Sequence, residues 1–104
     1  MKTFVMVTKL APEHIQPVDV AHVMKDRACG GTAWQNEIKD RCPEVRFLAH
    51  YALLGTYDFM DIYEAPSEEI AARVSIITRS KGAFQVESWV AIPAARFGDV
   101  ISDL

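Results

Sequence analysis

His50, Asp61 and Glu87 are the side chains in this sequence best suited to chemistry. Each falls in a separate apolar, strand-like stretch, so one sheet face could collect all three. A carboxylate beside a histidine fixes the imidazole tautomer, and a second carboxylate supplies another proton donor or acceptor. Tyr57, Phe59, Tyr63 and Trp89 would wall such a site and make it a mostly apolar pocket for a small, partly apolar ligand. His50, Asp61 and Glu87 are therefore the candidate catalytic residues, and the four aromatics the candidate ligand-binding ones. One histidine with two carboxylates falls short of a non-haem iron triad, which takes two histidines, so no metal is expected. Neither a glycine-rich phosphate loop nor a nucleophile elbow occurs, and no cofactor is expected. The structural alternative is a buried polar cluster that satisfies itself and sets the register of a dimer.

The remaining reactive side chains carry less. Asp58 sits at the mouth of a hairpin, where an aspartate accepts hydrogen bonds from nearby backbone N–H groups. His14 and His22 lack metal-ligand spacing. Cys29 and Cys42 form no CxxC pair and read as free, partly buried thiols.

The elements that must position these residues follow from periodicity. Lys2–Leu10 reads as a strand stopped by Ala11-Pro12. Asp19–Arg41 has helical spacing through Val20, Met24, Trp34 and Ile38, with Gly30-Gly31 on the way. Either one long helix is weakened there, or a helix restarts at Thr32, whose spacing to Gln35 is that of a capping box. Glu44–Leu54 and Tyr57–Glu64 alternate as two strands around Gly55-Thr56. With those two as the loop, Leu54 faces Tyr57 and His50 faces Asp61; a three-residue loop would put His50 opposite Ile62. Ser67 caps a helix that carries Glu68 and Glu69 in its first turn, buries Ile70, Val74 and Ile77, and stops at Gly82. Ala83–Ile92 is a fourth strand. A short helix over 93–104 places Phe97, Val100, Ile101 and Leu104 on one side.

The order β-α-β-β-α-β plus a terminal helix predicts an α+β, ferredoxin-like single domain over residues 1–104, with a four-stranded antiparallel sheet and helices on one face. The expected helix-facing positions are Val5, Val7, Phe47, Ala49, Leu53, Met60, Ile62, Val86 and Val90. The opposite face would carry Phe4, Met6, Thr8, Leu48, His50, Tyr57, Phe59, Asp61, Tyr63, Glu87 and Trp89. Such an apolar face needs a cover, and a second copy packed sheet to sheet supplies one, so a homodimer is expected.

Composition narrows the function. With 104 residues, half of them hydrophobic, the chain is long enough for one core without disulfides or metal. A net charge of −3 argues against nucleic acid, as do Asp61 and Glu87 where an RNA-binding sheet would meet phosphates. No apolar run is long enough to span a membrane, and the N-terminus lacks signal-peptide character, so a cytoplasmic location is expected.

Leu54-Gly55-Thr56-Tyr57-Asp58, Tyr63-Glu64-Ala65-Pro66 and Trp89-Val90-Ala91-Ile92-Pro93 resemble the GYD-domain family, as do Phe4–Thr8 and Cys42-Pro43-Glu44-Val45. The resemblance covers most of the chain and is weakest over residues 17–32, where Gly30-Gly31 departs from the helix the family implies. It implies a ferredoxin-like protomer in a dimeric α/β barrel, and no established activity. Two functions from different classes remain. One is small-molecule binding or acid/base catalysis in a pocket on the sheet face of a homodimer, with proton transfer, isomerisation or cofactor-free oxygenation suited to its residues. The other is a non-catalytic dimerisation, assembly or sensor module without a substrate pocket.

Overall fold

The computed structural model describes residues 1–10, 32–81 and 83–104. Its elements are β1 (Lys2–Lys9), α1 (Thr32–Arg41), β2 (Arg46–Ala52), β3 (Phe59–Ala65), α2 (Glu68–Ser80), β4 (Gln85–Ala91) and α3 (Ala94–Ile101). The strands form one sheet in the order β2-β3-β1-β4, with every neighbouring pair antiparallel. Among the described residues the chain is thus an α+β unit of four strands and three helices in the expected order. Helix α1 is described from Thr32, and whether a helix precedes it through Gly30-Gly31 lies outside the described residues. The earlier part of that segment, with His14, His22, Cys29, Gly30 and Gly31, lies outside the described residues, as does Gly82.

Local chemistry accounts for the best-defined helix. Ser67 is extended (φ −153°, ψ 165°) and its hydroxyl accepts from the Ile70 N–H at 3.4 Å, satisfying one orphan donor of the first turn. Glu68 and Glu69 follow at the positive end of the helix dipole. The other side of α2 buries Ala71, Val74, Ile77 and Thr78. Trp34 and Ile38 of α1 and Cys42 just after it join Phe4, Met6, Tyr63, Ala65 and Val86 in the same core.

The structure corrects the assignment of sheet faces. Phe47, Val86 and Val90 do face the helices, and Glu87 and Trp89 do face away. Val5, Val7, Ala49, Met60 and Ile62, however, lie on the open face. Phe4, Met6, Thr8, Phe59, Asp61, Tyr63 and His50 lie beneath the helices, as the strand pairings and their burial require. Both parities of these strands are apolar, so alternation alone does not name the inner one. On the two central strands volume helps: the gap between sheet and helices takes Phe4, Phe59 and Tyr63, and the open side keeps Val5, Val7 and Ile62 with Met60, whereas on the edge strands Tyr51 and Trp89 stay on the open side.

A bulge in β2 completes the correction. The pairing shifts between Phe47 and Ala49, so Phe47 faces Tyr63 while His50 faces Asp61. One extra residue, Leu48, thereby lets Phe47 and His50, three apart, share the inner face. Beyond the bulge the expected hairpin register holds, and it closes with the Leu53 N–H donating to the Asp58 carbonyl at 2.8 Å. The connection is wider than a two-residue turn.

Candidate functional site

The inner face of β2 and β3 brings two of the three candidate catalytic residues into contact. His50 Nδ1–H donates to Asp61 Oδ1 at 2.5 Å. The Asp61 side chain is 1% exposed and that of His50 27%, so the pair runs from the core to its margin. A buried carboxylate is costly unless paired, and the imidazole is part of what keeps Asp61 there. With the Nδ1 proton committed to the carboxylate, the lone pair of a neutral ring resides on Nε2.

Aromatic rings fix the imidazole from two sides. Phe59 stacks on it at 5.2 Å with 9° between the planes, and Trp34 approaches it at 6.2 Å. Trp34 is held in turn: its indole N–H donates to Thr78 Oγ1 at 2.8 Å, and the Thr78 hydroxyl donates to the Val74 carbonyl at 2.7 Å. Trp34 also packs on Phe47. Both helices, through Trp34 and Thr78, therefore set the orientation of a ring carried by a strand.

Two further buried hydroxyls belong to this face. Tyr63 is fully buried and stacks on Phe4 at 5.5 Å. Burial pushes its hydroxyl up to about 12, and the nearby Asp61 carboxylate acts in the same direction. Its oxygen lies near Ser88 but outside hydrogen-bonding geometry, and neither it nor Thr8 Oγ1 has a hydrogen-bond partner among the described residues. The alternation of Thr8, Asp61 and Tyr63 with apolar neighbours was the available signal for this polar seam. Thr8 and Thr78 were not among the expected site residues.

Glu87 and Trp89 do not reach the seam. Glu87 pairs with Val7 and Trp89 with Val5, on the far side of the sheet. Trp89 is 52% exposed there, Tyr51 is 53% exposed on the same face at the opposite edge of the sheet, and α1 and α2 both lie on the other face. Phe59 and Tyr63 do lie beside the pair, whereas Tyr57 sits half-buried in the hairpin connection. Asp58 has a structural position: Oδ2 accepts from the Leu10 N–H and its own N–H donates to the Thr8 carbonyl, both at 2.8 Å, tying the hairpin to the end of β1.

Clefts lined by described residues lie elsewhere. One of about 390 Å³ is formed by Arg41, Arg73, Ile76 and Ile77, and two smaller ones run along α2 and β4. No group of three or more His, Cys, Asp or Glu arranged to hold a metal occurs among the described residues. Cys42 is a free buried thiol, with its pKa pushed up by burial. No described helix is long and apolar enough to cross a membrane.

The fold is an α+β sandwich of one antiparallel sheet and its helices, and residues 4–101 match the GYD domain: the chain belongs to the GYD-domain family. It is also similar to a named protein. Over 60 residues it is 37% identical to the "Glutamine synthetase and cystathionine beta-lyase binding protein" of Thermus thermophilus. That match covers 58% of this chain and 63% of the relative, less than two thirds of its length.

Proposed function

We propose that the protein is a non-catalytic, homodimeric protein-binding module, in which ferredoxin-like protomers pack open face to open face as a dimeric α/β barrel. The carrying observation is the open face itself. Tyr51 and Trp89 are half-exposed there, and Val5, Met60 and Ile62 lie between them only partly buried. A patch of this kind is unusual on a monomer, and a sheet covered by its own copy removes it from water. Glu87 falls within the patch and belongs to the interface in this reading. The relative's name, a binding protein for two enzymes, supports enzymes as the second class of partner.

Sedimentation velocity at tens of micromolar tests the dimer. The wild-type chain should sediment as a dimer and Trp89→Glu as a monomer with an unchanged melting temperature. A monomeric wild type would overturn the reading. Purified glutamine synthetase, titrated with the dimer by calorimetry, tests the second partner class.

A second reading rests on the His50–Asp61 contact: an acid/base pair serving a small, partly apolar ligand, with Phe59 and Tyr63 as walls. That pair sits under the helices, so the ligand would enter from the helix side, away from Glu87 and Trp89. Because His50 lies on the inner face, His50→Ala should leave the open-face dimer intact in both readings. It should abolish binding of a small, partly apolar ligand in the second alone, and unchanged binding in a screen of such ligands would overturn that reading.

A further inference from the structure

Among the described helices the terminal helix α3 is as apolar on one side as any, yet none of its residues is buried. Phe97, Val100 and Ile101 recur at helical spacing, and Leu104 continues the line in the turn beyond. All four are exposed, from 44% for Ile101 to 98% for Leu104.

The same chain carries a groove in which no described element is seated. It runs between α2 and the edge strand β4, first past Phe4, Ala71, Ala72, Ser75, Ser88 and Val90, about 240 Å³. It continues past Thr3, Ala91 and Ile92 for about another 220 Å³, the two parts sharing Glu68 and Val90. Along most of its length the α2 wall is Ala71, Ala72 and Ser75, small residues that let a second helix approach closely, and Glu68, ion-paired with Lys2, stands where the two parts meet. Its other wall is an edge strand, which proteins cover. Val90 and Ile92 are about half-exposed along it.

We propose that α3 is an exchanged arm, whose Phe97–Val100–Ile101 stripe seats in the α2/β4 groove of a second copy. Its own groove is a poor seat. The chain leaves that groove at Ile92, and Pro93 (φ −54°, ψ 136°) carries it on extended into α3, whose Arg96 still lines the groove's end. Returning along the groove would demand a reversal within two residues. A second copy brings its arm in from outside, and one two-fold operation fills both grooves. The area is of the right size. The exposed parts of Val90, Ile92, Phe97, Val100, Ile101 and Leu104 come to roughly 600 Å² per chain, most of the roughly 800 Å² each partner gives to a standard interface. The proposal shares with the dimer reading only the need for a second copy.

Site-directed disulfide trapping between two differently tagged chains tests it. One chain carries Ala72→Cys in the groove; the other carries Ala95→Cys, Phe97→Cys, Asp99→Cys, Val100→Cys or Ile101→Cys in turn. Mixed and oxidised, the chains should form a linked heterodimer at 97, 100 and 101, and at least tenfold less at 95 and 99 on the opposite side. Linkage without that helical pattern, or no linkage at all, overturns the proposal. So does a chain carrying both Ala72→Cys and Val100→Cys that closes only on itself at every dilution, since the arm then occupies its own groove. Trp89→Glu separates this failure from that of the open-face dimer. A wild type that is dimeric, with Trp89→Glu monomeric, and shows no patterned linkage sinks the arm alone.

Discussion

The two faces of one sheet have been finished to different degrees. The inner face is closed by α1 and α2 and pairs several of its polar groups, Asp61 against His50, Trp34 against Thr78, Thr78 against Val74, while the Tyr63 and Thr8 hydroxyls have no hydrogen-bond partner among the described residues. The open face and α3 present Tyr51, Trp89, Phe97 and Val100 half-bare. Apolar content is similar on both sides, so hydrophobicity alone does not separate a core from an interface. The difference lies in what the chain itself supplies as cover. Substitutions on the inner face should therefore cost stability in the isolated chain, whereas those on the open side should cost association.

The largest effect tests that division directly. Trp34 is 5% exposed, spans Phe47 and His50, and donates its indole N–H to Thr78. Trp34→Ala removes its buried area and leaves a cavity, and should lower unfolding stability by about 3–5 kcal/mol in urea titration. A loss below about 1 kcal/mol would mean that the inner face is not the core that orients His50.

A smaller effect sharpens the comparison across the sheet. His50→Ala leaves a carboxylate that is 1% exposed without its imidazole, and should cost roughly 2–3 kcal/mol, less than a fully buried pair because the ring reaches the margin. Glu87→Ala, on the open side, should change the stability of the monomeric Trp89→Glu background by no more than about 0.5 kcal/mol. The His50/Glu87 double-mutant cycle should show coupling within about 0.5 kcal/mol, since the two point to opposite faces. Coupling above about 1 kcal/mol would reunite the three residues in one network.

Much of this architecture was legible in the sequence, and the rest has identifiable physical causes. Strand and helix order followed from periodicity, the start of α2 from Ser67, and the His50–Asp61 pairing from Gly55-Thr56. Two things were not legible. Which parity faces the helices depends on the volume between layers, which alternation does not encode when both parities are apolar. The bulge at Leu48 has no glycine to announce it, yet it puts Phe47 and His50 on one side. A single wrong parity was enough to draw Glu87 and Trp89 toward a site they do not reach, while Asp61, tied to His50 by the hairpin register, was unaffected.

The smallest predicted effect lies in the pH dependence of the inner face. Burial raises the Tyr63 hydroxyl from an ordinary value of 10 to about 12. Between those values the unfolded chain has released this proton and the folded chain still holds it. The native state then binds more protons, and stability falls as pH rises. The contribution is complete below pH 10 and declines from there toward pH 12. Tyr63→Phe keeps the stacked ring on Phe4 and deletes the titrating group, so its urea midpoint should fall less steeply than wild type over that range. Equal slopes for Tyr63→Phe and wild type would show that the Tyr63 hydroxyl exchanges its proton as readily in the fold as outside it, and the distinction between the closed and open faces would lose its electrostatic half.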